Sequence, residues 1–475
     1  VAAVKSDIER AYDALADKRP RYDLLYAYYD GNQPLVYSTE HLADIFRKIE
    51  ARWVQNWCAV VVDSALERLT FKGFEVDEGM ADPKAPKKEG PASKRLTELG
   101  AATDIEIEAF DAHKDALVTG EGFLIAWPDD EGGFDLYAND PRLVHVFYDR
   151  ERPKEMEFAA KWWRHGDLTL MNLYYADRIE HWYGPKNPRS GKAFQPLDGG
   201  GVDGDGQPVE DNPHERIPVF HLRTSRRGPG GELRKLLSSQ DAVNKLLADM
   251  MVASEFGSFP QRYAITEQDT SKLKIAPGQL WTLAPADEGV QPTGVGAFPT
   301  VDISQYLGAM DKLASSIAIV SRTPKHYFFG QGGDPSGEAL IAMEAPLVKK
   351  CEHYGELFGQ VWRELGEFML AASGLPVKPG TVSAAWDSMQ TQQPVSTTTA
   401  LLNYVRAGMP LSTALREIGW GPDELAQLDD DKANEPPPPS FSGALAGFNK
   451  GVPGAYPAVP TAPSGAPGTP GKKVK

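Results

Sequence analysis

Gly199, Gly201 and Gly204 have the spacing of a G-x-G-x-x-G dinucleotide loop, and Gly332 and Gly337 have that of a P-loop. Such spacings matter because backbone N–H groups can crowd around a phosphate only where no Cβ intervenes and a helix N-terminus follows. The first set lies in a Gly/Asp/Pro run with no strand leading in and no helix leading out. The second precedes a helical pattern, but Glu338 and Ala339 stand where Lys and Ser/Thr are required, and a carboxylate there repels phosphate. Asp198, Asp203 and Asp205 offer oxygens for calcium without the ordered acidic positions and closing Glu of an EF-hand, so a solvated turn is expected. The nine histidines are scattered, with no H-E-x-x-H, no Cys/His cluster of metal spacing and no G-x-S-x-G elbow. Asp129/Asp130 and Asp429 to Asp431 fall in apparent loops and read as solvated charge. Trp53, Trp57 and Trp362 lie on helical apolar stripes, which favours core packing over sugar stacking. No cofactor and no metal is expected, and the absence of a catalytic constellation favours a structural protein over an enzyme.

The charge narrows the classes further. The formal charge is −16, and residues 434–475 hold four Lys against one Glu, so residues 1–433 carry −19. Neutralising phosphates takes clustered Lys and Arg, so a tight general grip on nucleic acid is excluded, though contact is not. No run of 18 apolar residues occurs, so no membrane-spanning helix is expected. The residues from Val1 to Arg10 lack the apolar stretch of a secretory signal, and Cys58 and Cys351 read as reduced core thiols. Synthesis in the cytosol is expected.

The elements that would position any site alternate in type along the chain. Residues 1–30 and 39–69 carry helical periodicity, separated by a break at Asp30 to Pro34, and Thr70 to Val76 reads as a strand. Ser93 to Thr119 reads as a helix. Six short strands follow, near 122–127, 134–138, 144–148, 158–163, 168–175 and 178–183, before a polar loop at 184–213. Glu232 to Glu255 reads as one helix, with Asp241/Lys245 and Lys245/Asp249 as i,i+4 pairs and Asn244 on the solvent side. Val301 to Val320 is helical again. The longest periodicity runs from Leu340 to Met369 through Pro346, a predicted kink, with Ser336 as its expected N-cap. Shorter helices are expected at 396–407, 411–418 and 423–430. Residues 434–475, with ten Pro and seven Gly, are expected to remain disordered.

The order of these elements from about Tyr22 to Asp430 resembles the portal proteins of tailed bacteriophages. Asn56, Val61-Val62-Asp63 and Phe71 to Phe74 are similar to the early wing segment of that family. Thr119 to Leu124, Asp140-Pro141 and Val146 to Asp149 resemble its β region. Ser239 to Lys245 looks like the first stem helix, and Phe329-Gly330 with Ser336 to Leu340 like the approach to the spine helix. The resemblance implies an α+β portal fold: a helical and β-rich wing (1–228), a stem helix (229–257), a small α/β clip (258–300) and a second stem helix (301–320). A tunnel loop (321–337), a spine helix (338–373), a helical crown (374–433) and the disordered tail (434–475) complete it.

The resemblance also implies a role. Such a subunit forms a ring, by family a dodecamer, at the portal vertex of the virion and is assembled in the host cytoplasm. Double-stranded DNA passes non-specifically through it during packaging and ejection. The terminase large subunit, a head–tail adaptor and the major capsid or scaffold protein are the implied partners, and no membrane is. Residues expected to face the channel are Lys235, Asp241 and Lys245 on the first stem helix, with Lys325, His326, Tyr327, Phe328 and Phe329 in the loop. Burial of Tyr327 to Phe329 under the spine helix is the competing placement. The alternative functions are an acidic-cleft hydrolase with Trp platforms and another virion structural or adaptor protein.

Overall fold

The structure is a computed structural model that describes residues 5–34, 54–77, 90–129, 131–197, 207–226, 230–258, 262–265, 294–299, 302–328, 337–390 and most of 394–432. The chain divides into two units, residues 1–394 and 395–475.

In the first unit, helix α1 (Asp7–Tyr29) opens at Ser6, whose backbone N–H donates to Glu9, three residues on. Its N-terminal half buries Ile8, Ala11 and Leu15 in one core, and its C-terminal half buries Tyr22, Leu25 and Tyr28 in another. Helix α2 (Trp57–Leu66) is capped by Asn56, which accepts from the Ala59 amide at 3.2 Å. The first part of the helix expected over 39–69 lies outside the described residues.

Strand β1 (Phe71–Val76) is followed by α3 (Pro91–Ala102) and α4 (Ile105–Thr119). The single helix expected over 93–119 is therefore two. The chain breaks at Asp104, a non-glycine residue in the left-handed region at φ 48°. Helix α4 ends at Gly120, φ 96°, where a Cβ would come 2.7 Å from the backbone of Gly230, so only glycine fits.

Six predicted strands form: β2 (Glu121–Pro128), β3 (Phe134–Asn139), β4 (Val144–Tyr148), β5 (Met156–His165), β6 (Leu168–Tyr174) and β7 (Arg178–Pro185). Three unpredicted strands follow: β8 (Gln195–Pro196), β9 (Val209–Asp211) and β10 (Val219–Arg223). They build an antiparallel β10-β2-β3 sheet and a second sheet in the order β4-β5-β6-β7-β8, with β9 also on β7. The second sheet packs one face on α1 through Phe158, Ala160, Trp162 and Met171.

Leu233 to Lys235 form a 3-10 turn ahead of α5 (Leu237–Ser258), which interrupts the single helix expected there. Strands β11 (Arg262–Ile265) and β12 (Gly294–Ala297) pair antiparallel, and most of residues 258–300 lies outside the described residues. Helix α6 (Ile303–Ser321), capped by the Asp302 carboxylate on the Ser304 amide, packs along α5. Helix α7 (Gly337–Ala372) follows, 36 residues and so about 54 Å long, and it continues through Pro346. Strand β13 (Val382–Trp386) pairs antiparallel with β1 across more than 300 residues of sequence.

The main core forms where α7 meets α4 and β1. The Trp362 ring stacks on Phe71 at 4.1 Å between centroids, and its Nε1–H donates to Nε2 of His113 at 2.9 Å. That bond requires the other His113 nitrogen to carry the proton, which it donates to the Leu69 carbonyl at 3.2 Å.

In the second unit, α8 (Pro394–Arg406) and α9 (Leu411–Glu417) are separated by Gly408 at φ 88°. The helix expected at 423–430 and the 434–475 tail fall wholly or partly outside the described residues.

Candidate functional site

The residues expected to face a channel fall on two stretches. On the first, Lys235 is exposed in the 3-10 turn. Asp241, one turn into α5, accepts from the Tyr28 hydroxyl at 2.7 Å, which ties α5 to α1. Lys245 pairs with Asp249, so the second expected i,i+4 pair forms, whereas Asp241 is engaged by Tyr28 in place of the first. Asn244 is buried rather than on the solvent side. Its Oδ1 accepts from the Gln55 amide at 3.0 Å, and Gln240, also buried, accepts from the Trp57 amide at 3.0 Å. Gln240 thus satisfies the first N–H of α2, while Asn244 holds the backbone just ahead of its N-cap.

On the second stretch, residues Lys325 to Tyr327 form a 3-10 turn directly after α6. Lys325 reaches back to Asp311 on α6 at 2.7 Å. His326 Nε2 stands 3.8 Å from Glu344 on α7. Tyr327 is half-buried; it donates to Glu344 and accepts from Arg68, each at 3.3 Å, while Arg68 and Glu344 pair at 2.8 Å. Phe328 is only 6% exposed and packs edge-on against Trp57 at 5.7 Å. Within this chain Phe328 is therefore a buried side chain. Phe329, the following residues through Ser336 and the Gly199–Gly204 and Asp198–Asp205 stretches lie outside the described residues. Trp57 and Trp362 are buried, so neither is a free stacking platform.

Two polar nodes went unread in the sequence. The first joins Glu232, just ahead of the 3-10 turn that leads into α5, to α6 and α7. Lys350 and Glu232 pair at 3.1 Å, both under a tenth exposed. Lys350 also donates to the Ser321 carbonyl at 2.8 Å, and the Tyr354 hydroxyl donates to Glu232 at 2.6 Å. Breaking one partner of such a pair costs about 3–5 kcal/mol, because the other charge is left buried. The second node joins α1 to both sheets. Lys18 donates to the Val144 carbonyl and stands 3.7 Å from Glu121, which accepts from the Tyr22 hydroxyl at 2.5 Å. His221, on β10, lies 3.8 Å from Glu121. Burial pushes Lys18 down to about 8. Burial would raise Glu121, but His221, Lys18 and the Tyr22 hydroxyl reverse that and hold it at about 2. A signal existed for both lysines. Lys18 follows Leu15 by three and precedes Tyr22 by four, and Lys350 stands likewise between Leu347 and Tyr354, so each sits on an apolar stripe.

The chemistry open to these groups is limited. Cys58 and Cys351 are buried free thiols, which burial pushes up to about 12 and about 11. Among the described residues no group of three or more His, Cys, Asp or Glu is placed to hold a metal ion. No helix among them is long and apolar enough to cross a membrane.

The described residues form a mixed helix-and-sheet body whose buried charges tie helices to one another and to sheets. A family model described as phage portal protein, SPP1 Gp6-like, matches residues 8–435, and the chain belongs to that family. Portal proteins of Mycobacterium phages L5 and D29 are 24% and 23% identical to it, over 72% and 78% of both chains. Solved necks of gene transfer agent particles, one empty and one native, align with 82% of this chain and 96% of theirs. Their identities are 12% and 11%, and their TM-scores 0.44 and 0.41.

Proposed function

We propose that the chain is the portal-vertex subunit of a phage virion, a ring of twelve copies through which duplex DNA is packaged and later ejected. The match of the portal family over residues 8–435 carries this reading. In it, the elements through β10 make the wing, α5 and α6 the stem, the β11–β12 segment the clip, α7 the spine, and α8 with α9 the crown. The clip would dock the terminase large subunit and then the head–tail adaptor, and the wing would meet the major capsid or scaffold protein. Assembly would take place in the host cytoplasm. Two features support the assignment: the antiparallel strand pair lies in sequence between two packed helices, and the longest helix follows directly. Lys235, exposed at the head of α5, together with Lys325 and His326 after α6, would line the channel; Phe328 would not.

Light scattering and negative-stain imaging of the purified chain test the reading. Twelve-fold rings with an open centre wide enough for duplex DNA are expected at micromolar concentration and moderate salt. A protein that stays monomeric or dimeric over that range would overturn self-assembly as an intrinsic property of the chain.

A further inference from the structure

A cavity of about 360 Å³ opens between α1 and the edge of the sheet containing β4 to β7, and the portal reading makes no use of it. Its walls combine three cations, Arg19, Arg164 and Lys186, with the apolar surfaces of Trp162, Trp163 and Pro188. The cations are incompletely compensated. Among the described residues Arg164 has no carboxylate within ion-pair distance; its guanidinium donates to the neutral Asn187 side chain at 2.9 Å. Arg19 stands 3.8 Å from Asp23, a carboxylate already held at 3.1 Å by Arg142. Only Lys186 has a close acid of its own, Asp167 at 2.8 Å, and both of those side chains are more than half exposed. In a chain of net charge −16, an apolar pocket rimmed by under-neutralised cations is a local reversal of sign.

We propose that this groove docks an acidic peptide: one apolar side chain enters between the tryptophan and proline surfaces, and flanking Asp or Glu carboxylates meet Arg164 and Arg19. The volume suits one or two side chains rather than a duplex backbone, which needs an extended row of cations. Net repulsion from the acidic body also weighs more heavily on a polynucleotide than on a peptide with a few carboxylates. Arg164 is the expected anchor, because guanidinium and carboxylate pair in two parallel hydrogen bonds and no acid among the described residues competes for it.

Fluorescence anisotropy of a short fluorescein-labelled Glu/Leu peptide, titrated with the full-length protein, tests the proposal. A Lys/Leu peptide and oligothymidylate serve as the other probes. Arg164→Glu reverses the charge at the groove; Lys154→Glu makes the same change at an exposed turn beyond the opposite end of β5. Saturable binding of the acidic peptide, weakened roughly tenfold by Arg164→Glu and unmoved by Lys154→Glu, is the expected result. No saturable binding, equal weakening by both variants, or tighter binding of oligothymidylate or the Lys/Leu peptide would overturn it.

Discussion

Phe328 closes the main core beneath α2, edge-on to Trp57, immediately after the 3-10 turn that leaves α6. Truncating an aromatic in such a position removes both its transfer energy and the contacts of its neighbours, so Phe328→Ala should cost about 3–5 kcal/mol. Urea denaturation reads this directly, and a change under about 1 kcal/mol would return Phe328 to the solvent side. The histidines set the acid limb of stability. Burial holds His113 and His221 at about 3, and His145 at about 4. In the unfolded chain each titrates near 6.5, so the unfolded state binds more protons between about pH 4 and 6.5. Stability is then complete above that range and falls as the pH drops through it, by up to about 1.4 kcal/mol per pH unit for each ring. Asp115, which burial pushes up to about 7, works in the opposite direction, since its folded carboxyl keeps a proton that the unfolded one releases. Three against one leaves a net loss on acidification. The urea midpoint should be lower at pH 5 than at pH 7, and a midpoint that rises would sink this account. Lys18 and Lys350 show what residue-level reading misses. Their places on apolar stripes were visible in the sequence, but the partners that neutralise them come from β2, about a hundred residues away, and from Glu232, ahead of the turn into α5.

At the scale of elements, legibility followed the distance to the partner. The β5–β6–β7 strands were readable because each meets its neighbour across a short turn, although their register came only with the structure. Strands β10 and β13 were not. The first joins β2 after nearly a hundred residues and the second joins β1 after three hundred, and neither has a local turn to announce it. The α3/α4 break was equally silent, because Thr103 and Asp104 include no Gly or Pro. The bend rests on Asp104 adopting φ 48°, a conformation that Asp tolerates better than most residues and that glycine adopts freely. Asp104→Gly should therefore leave the melting temperature unchanged or slightly higher. Asp104→Val should cost about 1–2 kcal/mol, since a β-branched side chain clashes there with its own backbone. If Val is tolerated as well as Gly, the break does not depend on the left-handed residue.

At the scale of the whole molecule, the proposed portal role would require a subunit that touches DNA without holding it. The chain carries 50 Lys and Arg against 66 Asp and Glu, and many of its cations are engaged internally. Arg10, Arg68, Arg142, Lys245, Lys325 and Lys350 all pair with carboxylates of the same chain. A cation already paired releases no counterion from a phosphate unless its own bridge is broken, so each contributes less to affinity than a free lysine would. Among the described candidate channel residues, Lys235 alone is exposed without an ion pair to another described residue. The assembled protein should therefore bind linear duplex DNA no more tightly than ordinary non-specific binders, with dissociation constants of about 10⁻⁴–10⁻⁶ M near physiological salt. Its affinity should also fall only gently with salt. Anisotropy of a fluorescent duplex between 50 and 200 mM salt measures both, because proteins making 6–10 phosphate contacts lose about 10³–10⁵ in affinity over that interval. Charge reversal at Lys235, repeated in every copy of the ring, should weaken the binding further and flatten its salt dependence. Nanomolar binding with a steep salt slope would mean that the assembled protein presents a basic track, and sliding would then need another explanation than the paired state of its cations.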